Sequence, residues 1–534
     1  MAATTASFQR AQGRLADLDY MWQLVMVLAV GSFMVVLDTT IVNIALPRII
    51  TVFGSTVDEA QLVLTGYMLS LAVIMPCTQY LSSTFGTKRL YLFTILMFTL
   101  GSMLCGAAWS VPSLVVARVI QGLGGGMIQP LGMAMLFRVT PPERRGSVMA
   151  IYALPVMVAP ILGPTVGGYL TEFVSWRWVF YLNVPAGALA LLLGTALLRE
   201  TPTRRGLPFD LPGFILAALS TGPALLAFEA APSKGFGDPE VILKLGLSLV
   251  SLPLFVWWQL RARDPLLNLR LFKIPAFTMG AIVNFVTATA LFGAIFLLPV
   301  FLQNLRGLGA MESGLLLFPQ ALASAVSVIL GGRLYDKVGA RPLVIFGFVL
   351  LGVATWLLSS IDVTTPDSTI RWILIMRGLS MGFAMMPAMT AWMAAAPIQD
   401  TQSASAIQNV LRQVYGAFGT AIFATLLQSR IKFHAATMAM FVTPDMPAVA
   451  RMLGQAQQFA LSHGLSDVQG RAMAIGQLYG QVQRSAAVRS FDDCFLLAAV
   501  ACFVGIVPAL FLKAARPAAR GAGPAPARHE PVEV

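Results

Sequence analysis

Apolar runs of about 20 residues recur along the chain from residue 21 to residue 512, and at 1.5 Å per residue each can cross roughly 30 Å of hydrocarbon. Lipid offers no partner to a bare peptide group, so a chain of this kind is confined to helices that close their own hydrogen bonds. Composition agrees: 57% of residues are hydrophobic and 11% charged, against about a quarter charged in soluble domains. A net charge of +12 would suggest nucleic acid in a soluble protein. Here the basic residues fall mainly between the apolar runs, so they are read as an orientation signal and no nucleic-acid partner is expected.

Cys77, Cys105, Cys494 and Cys502 sit singly in apolar segments, and His434, His463 and His529 form no cluster. Neither a disulfide framework nor a metal site is expected. Residues 1–20 are polar without a cleavage-type pattern, so the first span is expected to act as an uncleaved signal anchor.

Breaks at charges, Pro and Gly divide the chain into fourteen expected spans: six within 21–198, two within 199–275 and six within 276–512. Residues 1–20 form an N-terminal segment, 429–490 an external loop with amphipathic stretches between the last two spans, and 513–534 a Pro/Ala/Gly-rich disordered tail. About 21 Lys and Arg fall at the termini and in alternate loops, against about six in the opposite short loops, which predicts cytoplasmic termini. The spans also echo one another. RVIQGLGGGMIQP at 118–130 is matched by RGLSMGFAMMP at 377–387, and GTKR after the second span by GGRLYDKVGARP after the tenth. Six spans repeated around two extra ones is the plan of a two-half transporter.

Four segments now name a family. LDTTIVNIALP, RVIQGLGGGMIQP, APILGPTVGGYL and WRWVFYLNVP resemble, in the same order, the signature segments of the major facilitator superfamily, and specifically its 14-helix drug:proton antiporters of the EmrB/QacA type. The resemblance covers residues 20 to 512. It implies an all-α integral membrane fold of two six-helix bundles with two extra central helices. It also implies that the first and fourth helices of each half line a central cavity.

Asp38 stands in an apolar run of the first span and Arg118 in the fourth, both roughly 10–12 Å below the same membrane face at helical rise. A buried guanidinium keeps its proton and needs acceptors or water, and Asp38 at matching depth can supply them. Two roles stay open for the pair. It is a fixed brace between helices, or it couples transport to protons, Asp38 staying ionised beside Arg118 and taking a proton once the two are separated or dehydrated.

Further polar residues inside spans are candidates for the substrate cavity: Thr39, Asn43, Gln121, Gln129, Asn284, Gln320, Arg377, Asn409 and Arg412. The glycine run after Gln121 lacks the Lys-Ser/Thr of a phosphate loop and is read as close helix packing. Gly163, Pro164, Gly167 and Gly168 suit a helix that bends and repacks during gating. In the place of the superfamily's gating motif stand Gly86, Lys88 and Arg89, with Ser83 where its Asp is usual; the second copy keeps Asp336, Gly339 and Arg341.

The expected function is proton-coupled export of hydrophobic, multidrug and often cationic compounds by alternating access in a bacterial inner membrane. The alternative is an exporter dedicated to one metabolite, such as a siderophore or a self-made antibiotic. No nucleophile, metal cluster or nucleotide motif suggests an enzyme, and no cofactor beyond the proton motive force is expected. The resemblance further implies a periplasmic adaptor and an outer-membrane channel as partners, with the 429–490 segment placed to meet them.

Overall fold

The computed structural model describes residues 19–203, 208–441, 446–462 and 466–512, so the expected N-terminal segment up to residue 18 and the tail from 513 lie outside it. Every regular element among the described residues is helical. The first half comprises α1 (Tyr20–Phe53), α2 (Val57–Phe85), α3 (Thr87–Gly106), α4 (Val111–Val139), α5 (Arg145–Tyr169) and α6 (Trp178–Leu197). A hairpin of α7 (Leu211–Lys234) and α8 (Pro239–Arg261) follows. The second half comprises α9 (Pro275–Leu305), α10 (Ala310–Val338), α11 (Ala340–Leu358), α12 (Asp367–Ala394), α13 (Thr401–Phe441), α14 (Pro447–Ser462) and α15 (Asp467–Val504). Thirteen of the described helices are long and apolar enough to cross a membrane. With α5, 25 residues long and without a charge after Arg145, they give the fourteen-span plan.

Two boundaries differ from the sequence reading. The first helix runs unbroken through Pro47 to Phe53, past the Pro breaks used to divide the spans, because a proline removes one backbone bond without ending a helix held by its neighbours. The stretch 429–490, expected as an external loop with amphipathic stretches, is largely helical among its described residues. α13 and α15 continue through it as helices of 41 and 38 residues, and α14 packs on α15 between them. The amphipathic stretch read in the sequence is α14 itself.

Among the described residues, the apolar core shared by the two halves lies toward one end. At the end rich in Lys and Arg, Phe137, Met149 and Tyr152 share an apolar core with Phe277, Trp392 and Ile407 of the other half. Toward the opposite end the core divides. One cluster holds Ile49, Leu114, Trp176 and Phe180 of the first half, another Leu298, Ile370, Phe423 and Phe491 of the second. The protein is therefore closed at its basic face and parted toward the other.

The repeated motif builds this closure. Gly86 and Gly339 occupy equivalent corners, α2 to α3 and α10 to α11, with φ of 89° and 80°, a region a glycine enters without steric cost. Asp336, three residues before the second corner, accepts from the backbone N–H of Gly146 at 2.7 Å and of Ser147 at 2.9 Å, and from the Ser147 hydroxyl at 2.6 Å. A carboxylate of one half thus sits on the positive N-terminal end of α5 in the other. The first half lacks an acid at Ser83, and its corner is held differently. Gln402 of α13 accepts a hydrogen bond from Ser82 and donates one to Thr87 at 3.2 Å, while Glu200 accepts from the N–H groups of Lys88 and Arg89. Lys88 donates to the Thr195 carbonyl at 2.8 Å, and Arg341 is exposed.

α7 closes the flank. Phe228 stacks edge-on against Phe418 of α13 at 5.5 Å, and Glu229 accepts from Thr65 and Gln61 of α2. The seam itself tolerates no bulk, since a Cβ on Gly332 would stand 2.4 Å from the Gly146 carbonyl oxygen. Gly332→Val should force the basic end open. In a background without the four native cysteines, Ser405→Cys at the buried seam should then react several-fold faster with a membrane-impermeant maleimide; an unchanged rate would contradict this closure.

Candidate functional site

The capped start of α4 sets the register of the site. Ser110 and Ser113 bond reciprocally to each other's backbone N–H, with Pro112 in the first turn, which fixes where the helix begins. Arg118 then lies two turns in, with Gln121 one turn further on the same face. The glycines that follow let α4 approach its neighbours closely. A Cβ on Gly122 would strike Ser70 of α2, and one on Gly124 the backbone of α3 near Phe98.

Asp38 and Arg118 are both 0% exposed and in direct contact. The guanidinium donates from Nη1 to Asp38 Oδ2 at 2.5 Å and to Gln121 Oε1 at 2.8 Å, and from Nε to the Val63 carbonyl at 3.3 Å. It lies 3.8 Å above the Tyr67 ring, a cation–π contact that replaces part of its hydration. Asp38 Oδ1 accepts from Gln121 at 2.9 Å and from Asn183 at 2.8 Å. Ser102 completes the network by accepting from Gln121 and Asn183 and donating to the Phe180 carbonyl. Residues of α1, α2, α3, α4 and α6 thus converge on one carboxylate and one guanidinium.

A pair this deep is costly unless its remaining lone pairs and protons are bonded, and here both carboxylate oxygens are. The network is closed to the cleft between the halves. Gln121, expected on a cavity wall, belongs instead to this network because its position three residues after Arg118 turns it toward Asp38. Thr39 is half-buried and donates to the Val35 carbonyl, while Asn43 is exposed and donates to that of Thr39. Gly163 and Gly167 pack α5 against Thr40 and Ile41, next to Asp38; Gly168 meets nothing within 4 Å. The Pro164 side chain lies outside the described residues.

A second group of expected residues assembles at the seam. Arg412 of α13 donates to Gln129 of α4, across the halves, and to Asn409 at 3.3 Å. Arg412 and Asn284 line a small cavity between α9, α12 and α13. Two other candidates are elsewhere. Arg377 is 1% exposed in the packed interior of the second half, and Gln320 lies against Gly378, its backbone carbonyl 2.2 Å from where a Cβ on that glycine would stand. Neither lines that cavity.

The sequence reading missed Tyr67, Ser102 and Asn183 in the network and Trp392 and Gln408 at the cavity. Asn183 lay within the quoted WRWVFYLNVP segment. Ser102 and Tyr67 are single polar groups in apolar spans, and nothing in their spacing pointed to Asp38.

The family model described as Major Facilitator Superfamily matches residues 28–420, and an uncharacterized MFS-type transporter, YhcA of Bacillus subtilis (strain 168), is 32% identical over 507 residues, covering 95% of each chain. The chain belongs to the Major Facilitator Superfamily. The multidrug export protein EmrB of Escherichia coli (strain K12) is 29% identical over 476 residues, 88% of this chain and 91% of that one. Among solved structures, the proton:xylose symporter XylE aligns over 93% of this chain and 96% of its own with a TM-score of 0.57 at 13% identity, which shows a shared fold. As a member of the superfamily the protein is a multi-pass membrane transporter.

Removing one partner of a buried pair leaves the other charge uncompensated, at a cost of about 3–5 kcal/mol. Asp38→Ala should therefore lower the thermal unfolding temperature in detergent markedly, whereas Asp38→Ala with Arg118→Ala should lose less than the sum of the two single variants. Strict additivity would show that the two do not act as a pair.

Proposed function

We propose that the protein is a proton-coupled exporter of hydrophobic compounds in a bacterial inner membrane, with both termini cytoplasmic and the proton motive force as its sole energy source. The observation that carries the reading is the Asp38–Arg118 network, which ties five helices of one half to a single titratable group. Likeness to a protein named as a multidrug exporter supports the direction of transport and the class of cargo. With cytoplasmic termini the closed basic face is the inner one, and the parted face opens outward.

Coupling follows from what a proton does at Asp38. An ionised carboxylate attracts Arg118 and accepts from Gln121 and Asn183. A neutral one loses the ionic attraction, and five helices lose their shared anchor. Protonation therefore favours the arrangement in which α1 and α4 separate, and deprotonation the one described here. Substrate that binds one arrangement better than the other shifts the same equilibrium, which links its passage to the proton's.

The helical hairpin of α13, α14 and α15 supports a role in binding a periplasmic adaptor, and through it an outer-membrane channel. It stands beyond the spans, and α14 carries exposed side chains such as Arg451 and Phe459. Deleting 447–462 should abolish adaptor capture in a pull-down while transport in vesicles persists. Capture unchanged by the deletion would end this proposal.

Inverted vesicles with an imposed pH gradient test the main reading. Wild-type protein should accumulate hydrophobic probes against their gradient, and Asp38→Asn should abolish that accumulation while still letting probes equilibrate downhill. Undiminished uphill uptake by Asp38→Asn would remove Asp38 from the proton path.

A further inference from the structure

The hairpin of α7 and α8 concentrates its polar bonds at the basic end. Along its length α8 exposes Leu243, Leu249 and Val250, as a lipid-facing helix does. At its base the bonding is dense. Asp210, the N-cap of α7, accepts through Oδ1 from the Gly213 N–H at 2.9 Å and the Trp258 indole N–H at 2.7 Å, and through Oδ2 from the Gln259 amide at 2.8 Å. Gln259, 0% exposed, accepts in turn from the Leu267 N–H at 3.1 Å. A Cβ on Gly213 would stand 2.1 Å from Asp210 Oδ2 and 2.2 Å from Gln259 Nε2, so a larger residue there would break this joint. Phe209, the residue before Asp210, meets Tyr80 of α2 edge-on at 5.0 Å, which rests the joint on the first half.

The connection from α8 to α9, residues 262–274, carries these bonds on to the second half. Its leucines turn inward: Leu266, Leu267 and Leu271 are 1%, 4% and 2% exposed, and the last two belong to the apolar core that the halves share. Arg263, Arg270 and Lys273 stay exposed, with Arg270 donating to the last carbonyls of α8, those of Leu260 and Ala262, at 3.2 Å each. Asn268 then bonds to the start of α13. Its backbone N–H donates to Ser403 Oγ at 2.7 Å and its side-chain amide to Asp400 Oδ1 at 3.1 Å, while its own Oδ1 accepts from the Arg270 N–H at 3.3 Å. The same turn of α13 forms the seam, through Gln402 at the first-half corner and Ser405 donating to the Pro130 carbonyl of α4 at 2.9 Å.

We propose that the connection 262–274 is a strap that holds the basic face closed, anchored to the hairpin by Asp210 and buckled to α13 by Asn268. Opening this face moves the start of α13 away from the first half and draws Leu267 and Leu271 out of the shared core. The strap opposes that movement, because its far end is bonded to a joint that rests on α2. Breaking the bonds of Asn268 to α13 lets the helix swing while the hairpin stays in place. The balance between the closed and open basic face then depends on Asn268 and Asp400, a pair outside both the Asp38 network and the cleft. The strap acts whatever the cargo and whichever way it travels.

Electron–electron double resonance between two nitroxide labels reads the opening of this face directly. The labels go on Phe85→Cys and Pro342→Cys, exposed positions at the two equivalent corners, in full-length protein without the four native cysteines, held in nanodiscs with neither substrate nor gradient. With Asn268 in place the short distance should dominate. Asn268→Asp sets a carboxylate against that of Asp400 and should raise the ratio of long to short distances about tenfold, the scale of a hydrogen bond replaced by a like-charge contact. Asn268→Asp combined with Asp400→Asn restores the bond with donor and acceptor exchanged. That double variant should return the ratio to the parent value, a rescue that a general loss of packing would not give. An unchanged ratio in Asn268→Asp, or a double variant as open as the single one, would overturn the strap.

Discussion

A carboxylate and a guanidinium held out of water, 2.5 Å apart, are the constraint around which the first half is arranged. Neither is tolerable alone at that depth, and the pair itself is tolerable only because Gln121, Asn183 and the Val63 carbonyl complete its bonding. Those partners come from different helices, so the position of each helix is tied to the charge state of one group. The glycines of α3 and α4 are the packing consequence: five helices converge on two side chains only if backbones approach closely.

The second half repeats the architecture and discards the pair. Arg377 stands in the register of Arg118, buried to the same degree, but no carboxylate among the described residues faces it. The corner motif diverges in the opposite sense. The second half keeps its acid, Asp336, on the N-terminus of α5, whereas the first replaces it with Ser83 and holds its corner through Gln402 and Glu200. One half thus carries the buried ion pair and the other the acidic latch.

The span count, the two-half plan and the partnership of Asp38 with Arg118 were legible because each rests on a strong one-dimensional signal. Hydrophobic length fixes a span, and a charge in an apolar run must find its opposite at similar depth. The rest of the network was not legible. A single Ser or Asn in a span has the same local signature whether it bonds its own helix, as Asn409 does to the Ser405 carbonyl, or a carboxylate on another, as Asn183 does. In the segment 429–490 the amphipathic stretches were legible, but not that α13 and α15 run on into it as continuous helices of 41 and 38 residues. Arg377 and Arg412 look alike in sequence, and only the packing separates a guanidinium sealed in one half from one aimed at the seam.

In the proposed coupling one group, Asp38, exchanges its proton with the occupancy of the cleft. The most direct measurement is proton release from detergent-solubilised protein in weakly buffered solution with a pH-sensitive dye, as a saturating hydrophobic probe is added. Wild-type protein should release protons in proportion to the probe bound, and Asp38→Asn should bind the probe and release none. Equal release from the two proteins would contradict the account and place the exchanged proton on another group.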